Sequence, residues 1–447
     1  MEHHVQSVDD ALIGGLSYKL KNGASYVTDR RSVTFFASGG NQYSSAGVKV
    51  MRFHLASDSW MDPNTFRIQF QLNNKSFVAN GTNFVLPLSW NPAVFFRRCR
   101  IIAGGQVIED IDDFNRLSLM LTALKPQDEQ LGIANEGFGS FDEDVNQQHA
   151  DYTDTRRSFH LDDALIAGTV NQARQVLFKP MLGILNQDKH IPLRYCPLQI
   201  ELELVSDPAD AVYVGSKTAA NGGAYNYVAN WDITDIQCKV DLLTLDSSLQ
   251  NEYASHLLSG KSLPLNFSSW NHSNQATGND KNFSAHISRS LTRLKGVFIT
   301  LLHPNTDGGQ YKVCNNFFHP LSLKAYLGSN INDQHDVWIQ VGSKLFPEYP
   351  VKSCNQAMYE LKKAVGHQFH IYNRWYRTHQ YIIGFDTERV AGAGFTGLST
   401  KAGDLMTVNF RNCDNEESAQ SVPSRVYIAL NYDAVLNIRD SGVELMD

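Results

Sequence analysis

Residues 101–121, IIAGGQVIEDIDDFNRLSLML, and residues 339–361, IQVGSKLFPEYPVKSCNQAMYEL, read as the same run of elements. Each is a strand, a tight glycine turn, a second strand and an amphipathic helix. Ile101 aligns with Ile339, Gly104 with Gly342 and Val107 with Leu345, each pair 238 residues apart (339 − 101 = 238), and the helix is displaced by about one residue. One unit recurring at a spacing near half of a 447-residue chain predicts two copies of one fold.

The pattern between the repeats is that of strands. Met51, Phe53 and Leu55 alternate with Arg52 and His54, and Phe66, Ile68, Phe70 and Leu72 with Arg67, Gln69 and Gln71. Leu198, Ile200, Leu202 and Leu204 alternate with Gln199, Glu201 and Glu203, and Ile236, Cys238, Val240 and Leu242 with Gln237, Lys239 and Asp241. Such a period of two marks half-buried antiparallel strands. The aromatic content, with 24 Phe and 18 Tyr, points the same way. In the second half, strands are expected near 262–270, 283–289, 295–302, 323–328, 337–341, 380–386, 405–411 and 424–437. Helices are few. Phe114, Leu117, Leu121 and Leu124 share one helical face, with Asp112 or Asp113 as cap. Residues 246–259 read as a helix stopped by Gly260, with Leu249, Tyr253 and Leu257 as its stripe. A third helix begins near 354, capped by Ser353 with Gln356, and its expected buried stripe is Cys354, Met358, Leu361 and Val365. Short strands, long excursions and one late helix per half predict sandwiches: an all-β chain of two eight-stranded antiparallel units. The expected divisions are an N-terminal arm at 1–30, a first unit at 31–250, a second at 251–437 and a C-terminal tail at 438–447. Residues 126–172 and 207–229 read as long polar loops.

Composition narrows the function. Charged residues make up only 19% and the net charge is −7, with no basic tail. Arg97-Arg98-Cys99-Arg100 and Asp29-Arg30-Arg31 are too short for a phosphate-binding face and read as solvated strand edges, so sequence-specific nucleic-acid binding is not expected. The opening MEHHVQSVDD has neither part of a secretory leader, and no apolar run is long enough to span a bilayer. The six cysteines, at 99, 196, 238, 314, 354 and 413, are scattered, which fits reduced thiols and argues against a zinc site. The sequons at Asn74, Asn80, Asn266, Asn271 and Asn282 read as chance in a Ser/Asn-rich chain.

The motifs that resemble chemistry have simpler readings. Gly392-Ala393-Gly394-Phe395-Thr396-Gly397 matches a dinucleotide fingerprint, but the sequence after it leads into another strand with no room for the required helix. Glu109, Asp110, Asp112 and Asp113 form an acidic cluster that could hold a metal, yet neighbours on a strand end point opposite ways and two suit a helix cap. His367, His370 and His379, with Arg374, Trp375, Tyr376 and Arg377 among them, lack the spacing of a zinc motif and read as an intersubunit contact. No serine elbow, Cys–His pair or phosphate loop stands out. No catalytic residue, cofactor or metal site is expected, and the chain reads as a non-enzyme.

Three segments carry a resemblance: Ile191-Pro192-Leu193-Arg194-Tyr195-Cys196-Pro197-Leu198 leading into ELEL, the Trp231–Leu245 strand with its following helix, and the terminal Leu436-Asn437-Ile438-Arg439-Asp440-Ser441-Gly442-Val443-Glu444. With the order of elements, they resemble the double jelly-roll major capsid proteins of the adenovirus–tectivirus lineage, closest to Polinton-like viruses and virophages. The resemblance covers about 30–447. It implies two tandem jelly rolls per chain, homotrimers acting as pseudo-hexameric capsomers, and an icosahedral shell around a DNA genome. It also implies location in the virion after assembly in the host cytoplasm or nucleus. Partners would be neighbouring capsomers, minor or cement proteins, a penton protein and a possible internal membrane. Two other readings fit a jelly roll: a spike, penton or lectin-like glycan binder that stacks sugars on the aromatics of 371–381, and a glycoside hydrolase using paired acids. The clean strands place Glu201 and Glu203 together on a polar face, which argues against the latter.

Overall fold

The computed structural model describes residues 26–75, 84–88, 91–126, 128–129, 159–162, 173–211, 216–218, 224–227, 230–278, 280–302, 317, 319–320, 335–369, 371, 376–377, 380–390, 394–401, 405–413 and 422–447, with backbone alone at 84–88, 159–162, 216–218 and 224–227. Among the described residues, sixteen main strands, with shorter pieces at their edges, make up two sandwiches. The first contains β1 (Val27–Phe36), β2 (Val50–Leu55), β3 (Arg67–Asn74), β4 (Phe96–Ala103), β5 (Gln106–Asp112), β6 (Ala173–Phe178), β7 (Leu198–Leu204) and β8 (Trp231–Leu245). The second contains β9 (Leu263–Ala276), β10 (Phe283–Ile287), β11 (Leu294–Leu302), β12 (Asp336–Val341), β13 (Lys344–Val351), β14 (Ile382–Asp386), β15 (Met406–Arg411) and β16 (Arg425–Arg439).

The pairing is the same in both. One sheet of the first sandwich runs β1-β8-β3-β6 and the other β2-β7-β4-β5; in the second they run β9-β16-β11-β14 and β10-β15-β12-β13. Each set of eight therefore closes as two interlocked Greek keys, a jelly roll. Alternation sets which side chains go inside. Along β7 every second residue is buried, and Glu201 lies outward opposite Arg52 and Arg100. Phenylalanines fill the first interior, with the Phe70 ring edge-on to Phe95, Phe96 and Phe178 at 6.3, 5.9 and 6.1 Å between ring centres.

The repeated unit is the β4–β5 hairpin with helix α1 (Phe114–Ala123), and the β12–β13 hairpin with helix α3 (Cys354–Val365). Gly104 and Gly105 both have positive φ, as a tight turn requires, and Gly342 repeats this at the second hairpin. The helices start 240 residues apart (354 − 114 = 240), two beyond the 238 of the hairpins. The cause is a wide bulge in β13 between Phe346 and Val351, which contains Pro347 and Pro350. Helix α2 (Ser247–Leu258) joins the rolls, and its Tyr253 packs on Trp60.

Several expectations change. The arm expected to 30 gives way at Val27 to β1, whose backbone pairs with β8. The expected tail instead turns back as β17 (Gly442–Met446), paired with the end of β16. Phe84–Leu88 joins neither roll. It pairs with Phe159–Asp162 and, in parallel, with Ala224–Tyr227, so three connections combine into a small separate sheet. On α3, Ala357, Glu360 and Leu361 are buried, while Cys354, Met358 and Val365 are only partly so. The strand expected at 323–328, Cys314, residues 1–25 and most of 126–172 lie outside the described residues.

Phe70→Ala should lower stability by about 3–5 kcal/mol, since it leaves a cavity between three rings. Urea unfolding followed by tryptophan fluorescence measures this, and a loss under 1 kcal/mol would contradict the packing described.

Candidate functional site: the seam between the rolls

Helix α1 is buried on nearly every side. Nine of its ten residues are covered, including Asn115, Arg116 and Ser118. A helix at the surface of one roll would hide a single stripe. Here Arg116 is covered by Phe317 and Tyr427 of the second roll, while Asn91 of the first bonds Ser118 O and Thr122 Oγ1.

The deepest contact is Glu109. It lies on β5 opposite Ile101 and is fully buried. Its Oε1 accepts from Gly183 N at 3.0 Å and from Ser269 Oγ at 2.6 Å, and its Oε2 accepts from Ile184 N at 3.0 Å. Gly183 and Ile184 open a 3₁₀ turn (Gly183–Leu185), whose first N–H groups have no partner within the turn. Burial pushes the Glu109 carboxyl up, and the three donors draw it partly back. Gly183 has no alternative at this position: a Cβ there would stand 2.0 Å from Ser268 O of the second roll.

Asp113 comes next. It has φ +50° and makes no side-chain cap, contrary to expectation. Its carboxylate reaches across the seam instead, accepting from Asn274 Nδ2 at 2.5 Å and lying 3.5 Å from His272 Nδ1. Burial works to raise this carboxyl, but His272, Asn274 and Arg116 hold it below the usual carboxylate range. The Arg116 guanidinium sits 4.1 Å from the centre of the Tyr427 ring, a cation–π contact between rolls. His367 Nε2 meets Leu124 O at 2.9 Å, and Lys189 Nζ donates to Pro264 O at 2.9 Å.

The acidic cluster is thus divided among separate tasks. Glu109 and Asp113 hold the seam. Asp110 and Asp112 face outward into a ladder of opposite charges across β2, β7, β4 and β5. Arg52 pairs with Glu201 (2.8 Å), Glu201 with Arg100 (3.5 Å), Arg100 with Asp110 (3.4 Å), Asp110 with Arg98 (2.7 Å) and Arg98 with Asp112 (3.4 Å). The arginine run expected as a solvated edge supplies two of its three cations, Arg98 and Arg100, and β2 the third, Arg52. Among the described residues no group of His, Cys, Asp and Glu side chains could hold a metal ion.

The glycine fingerprint is a connection between strands. Gly394 and Phe395 have positive φ, Phe395 N donates to Asp433 Oδ2 at 2.8 Å, and Leu398 bridges to Leu294. No helix follows among the described residues before β15; residues 391–393 and 402–404 lie outside them. Of the histidine and aromatic group, Tyr376 is buried and donates to Ile382 O, His367 lies in the seam, and His370, Arg374, Trp375 and His379 lie outside the described residues.

One pairing escaped the sequence reading. His319 Nε2 lies 2.9 Å from Cys354 Sγ, although 35 residues separate them. Beside it, the Tyr381 hydroxyl and His335 Nε2 share a hydrogen bond of 2.7 Å. Burial raises the Cys354 thiol and, with the neighbouring His335 and Arg377, holds His319 well below its ordinary value. Both groups are therefore neutral, the opposite of a thiolate–imidazolium pair. The pair packs beneath the start of α3 as a hydrogen-bonded part of the core.

No family model matches the sequence, and no curated protein matches it. Solved structures do match by shape. The major capsid protein of Faustovirus aligns over 96% of this chain and 93% of its own, at TM-score 0.60 and 9% identity. A chain of the Sputnik virophage structure aligns over 98% and 93% at 0.58 and 11%, and one from the PBCV-1 virus capsid over 96% and 98% at 0.57 and 12%. The fold is the double jelly roll. It is the fold of the capsid lineage that the sequence resembles.

Glu109→Gln keeps the shape but turns an amide NH₂ toward a backbone N–H. An unfolding loss of about 2–3 kcal/mol is expected, with faster proteolysis between the rolls; no change in either would contradict the seam. The buried His335 gives a pH dependence. Burial lowers its pKa from 6.5 to about 4, so the unfolded chain takes up the proton first. Its contribution is whole above pH 6.5 and is lost as pH falls toward 4, about 3 kcal/mol at most. Urea midpoints measured between pH 7 and 4.5 should fall in the wild type and fall less steeply in His335→Phe.

Proposed function

We propose that this protein is a viral major capsid protein: a homotrimer in which six jelly rolls form a pseudo-hexameric capsomer, tiling an icosahedral shell around a DNA genome. The observation that carries the reading is the complete doubling of an eight-stranded roll, with the two copies fixed by a buried polar seam. Two rolls held in one orientation are a building block for a ring. A single binding module would need neither the duplication nor the seam. The full-length match in fold to the Faustovirus major capsid protein supports the same reading.

The role is structural. The one Cys–His pair among the described residues is neutral and serves packing. The outward charges of the first roll neutralise one another in a ladder, which suits a wall and offers no concentrated cationic face for nucleic acid. Minor or cement proteins, a penton protein and an internal membrane are the partners such a shell would have, and the virion is its location.

The purified protein should scatter light as a trimer, roughly 150 kDa for three 50.1 kDa chains. A mass that stays at one chain across all concentrations would refute the capsomer.

A further inference from the structure

The seam inside the chain joins two different surfaces. The first roll contributes β5, α1 and the Gly183 turn; the second contributes β9 and β17. A contact of this head-to-tail kind leaves one copy of each surface unused, and those are the surfaces through which further copies join.

Both unused surfaces can be located by internal repetition. In the second roll the counterparts of β5 and α1 are β13 and α3. Phe346 pairs with Ile339 as Glu109 pairs with Ile101, and Val351 pairs with Val337 as Ile111 pairs with Cys99. Among the described residues they are left largely open. Only three of the twelve residues of α3 are buried, against nine of ten in α1. Large apolar side chains stand in the open: Leu345 is 42% exposed, Tyr349 75% and Tyr359 61%. Leu405, 58% exposed, lies beside them because its carbonyl accepts from Gly342 N. In the first roll the counterpart of β9 is β1. Strands β8 and β16 are both fifteen residues long, and matching them end to end gives an offset of 194 (425 − 231 = 194). Phe36, paired with Gln237, then takes the place of Trp270, paired with Asn431. That place lies between Ser269, which meets Glu109, and His272, which meets Asp113. Phe36 is 73% exposed.

We propose that the bare β13–α3 face of the second roll receives the β1 face of another copy of this chain, repeating between subunits the seam made within each one. Phe36 of one copy then packs against the bulge that carries Tyr349 in the next. The placement rests on the capsid reading above and specifies which residues join the subunits. The two seams differ in chemistry. The inner one is closed by buried Glu109 and Asp113; in the outer one Phe346 replaces Glu109, and the contact is apolar and aromatic.

The test combines Tyr349→Glu/Tyr359→Glu in one variant and Phe36→Glu in another, with mass read by light scattering and folding by circular dichroism. All three side chains are exposed in the single chain, so both variants should unfold at the wild-type temperature. The expected result is a wild type of three chains and variants of one. Variants that remain trimeric would overturn the placement while leaving the capsomer standing. A wild type that is monomeric throughout would refute the capsomer and the placement with it. As a second measurement, Phe36→Cys chains mixed and reassembled with Tyr349→Cys chains should crosslink with a short bismaleimide, and a trimer without that product would also overturn the placement.

Discussion

Burial of polar groups in one helix is the constraint on which the rest depends. Asn115, Arg116 and Ser118 of α1 are covered, and so are the carboxylates beside them. Polar groups lose water only where other groups replace it. For the carboxylates beside the helix the second roll supplies a serine hydroxyl, an asparagine amide and a histidine, and for Arg116 the face of a tyrosine ring. The first roll is therefore not a finished surface by itself. Its hairpin and helix fit one partner, in one orientation, and that partner is tethered through α2 to the end of β8.

The outward faces of the two rolls differ in a way that follows from this asymmetry. The first roll carries arginines and acids in alternation across four strands, each cation beside an anion. The corresponding face of the second roll is mostly uncharged. Ser284 bonds Asn409, Asn409 bonds Thr407, and Arg411 lies over the Trp338 ring. Two copies of one fold thus share their strand pairing and differ in their outward faces. Hydrophobic burial requires the former, and specific joining of unlike surfaces requires the latter.

Much of the fold was legible because alternation and turn chemistry are local. The β4–β5 and β12–β13 hairpins, the strand at Leu198–Leu204 and the three helices could be read from neighbouring residues, and their order was enough to imply sandwiches; the jelly rolls came with the resemblance. What could not be read depends on distant partners. Residues 27–30 are polar and resemble an arm, yet β8 supplies hydrogen bonds along them. Residues 442–446 resemble a tail until β16 stands beside them. The seam was hidden for the same reason. Glu109 looked like one member of an acidic run, and its particular role appears only when Gly183 and Ser269 arrive from 74 and 160 residues away. A buried-strand position occupied by glutamate between Ile108 and Ile111 was the available clue.

The pairing of β1 with β8 also sets the order in which this chain can be built. Thr28 bonds to Thr244, 216 residues further on. At translation speeds of 5–20 residues per second, β1 waits roughly 10–45 s for the strand that completes its sheet. Throughout that time Phe35 and Phe36 have no sheet to join, while β2 through β7 are already emerging. The first roll therefore closes last at its earliest-made strand, and the nascent chain must be kept from pairing that strand with a neighbour before its own β8 exists.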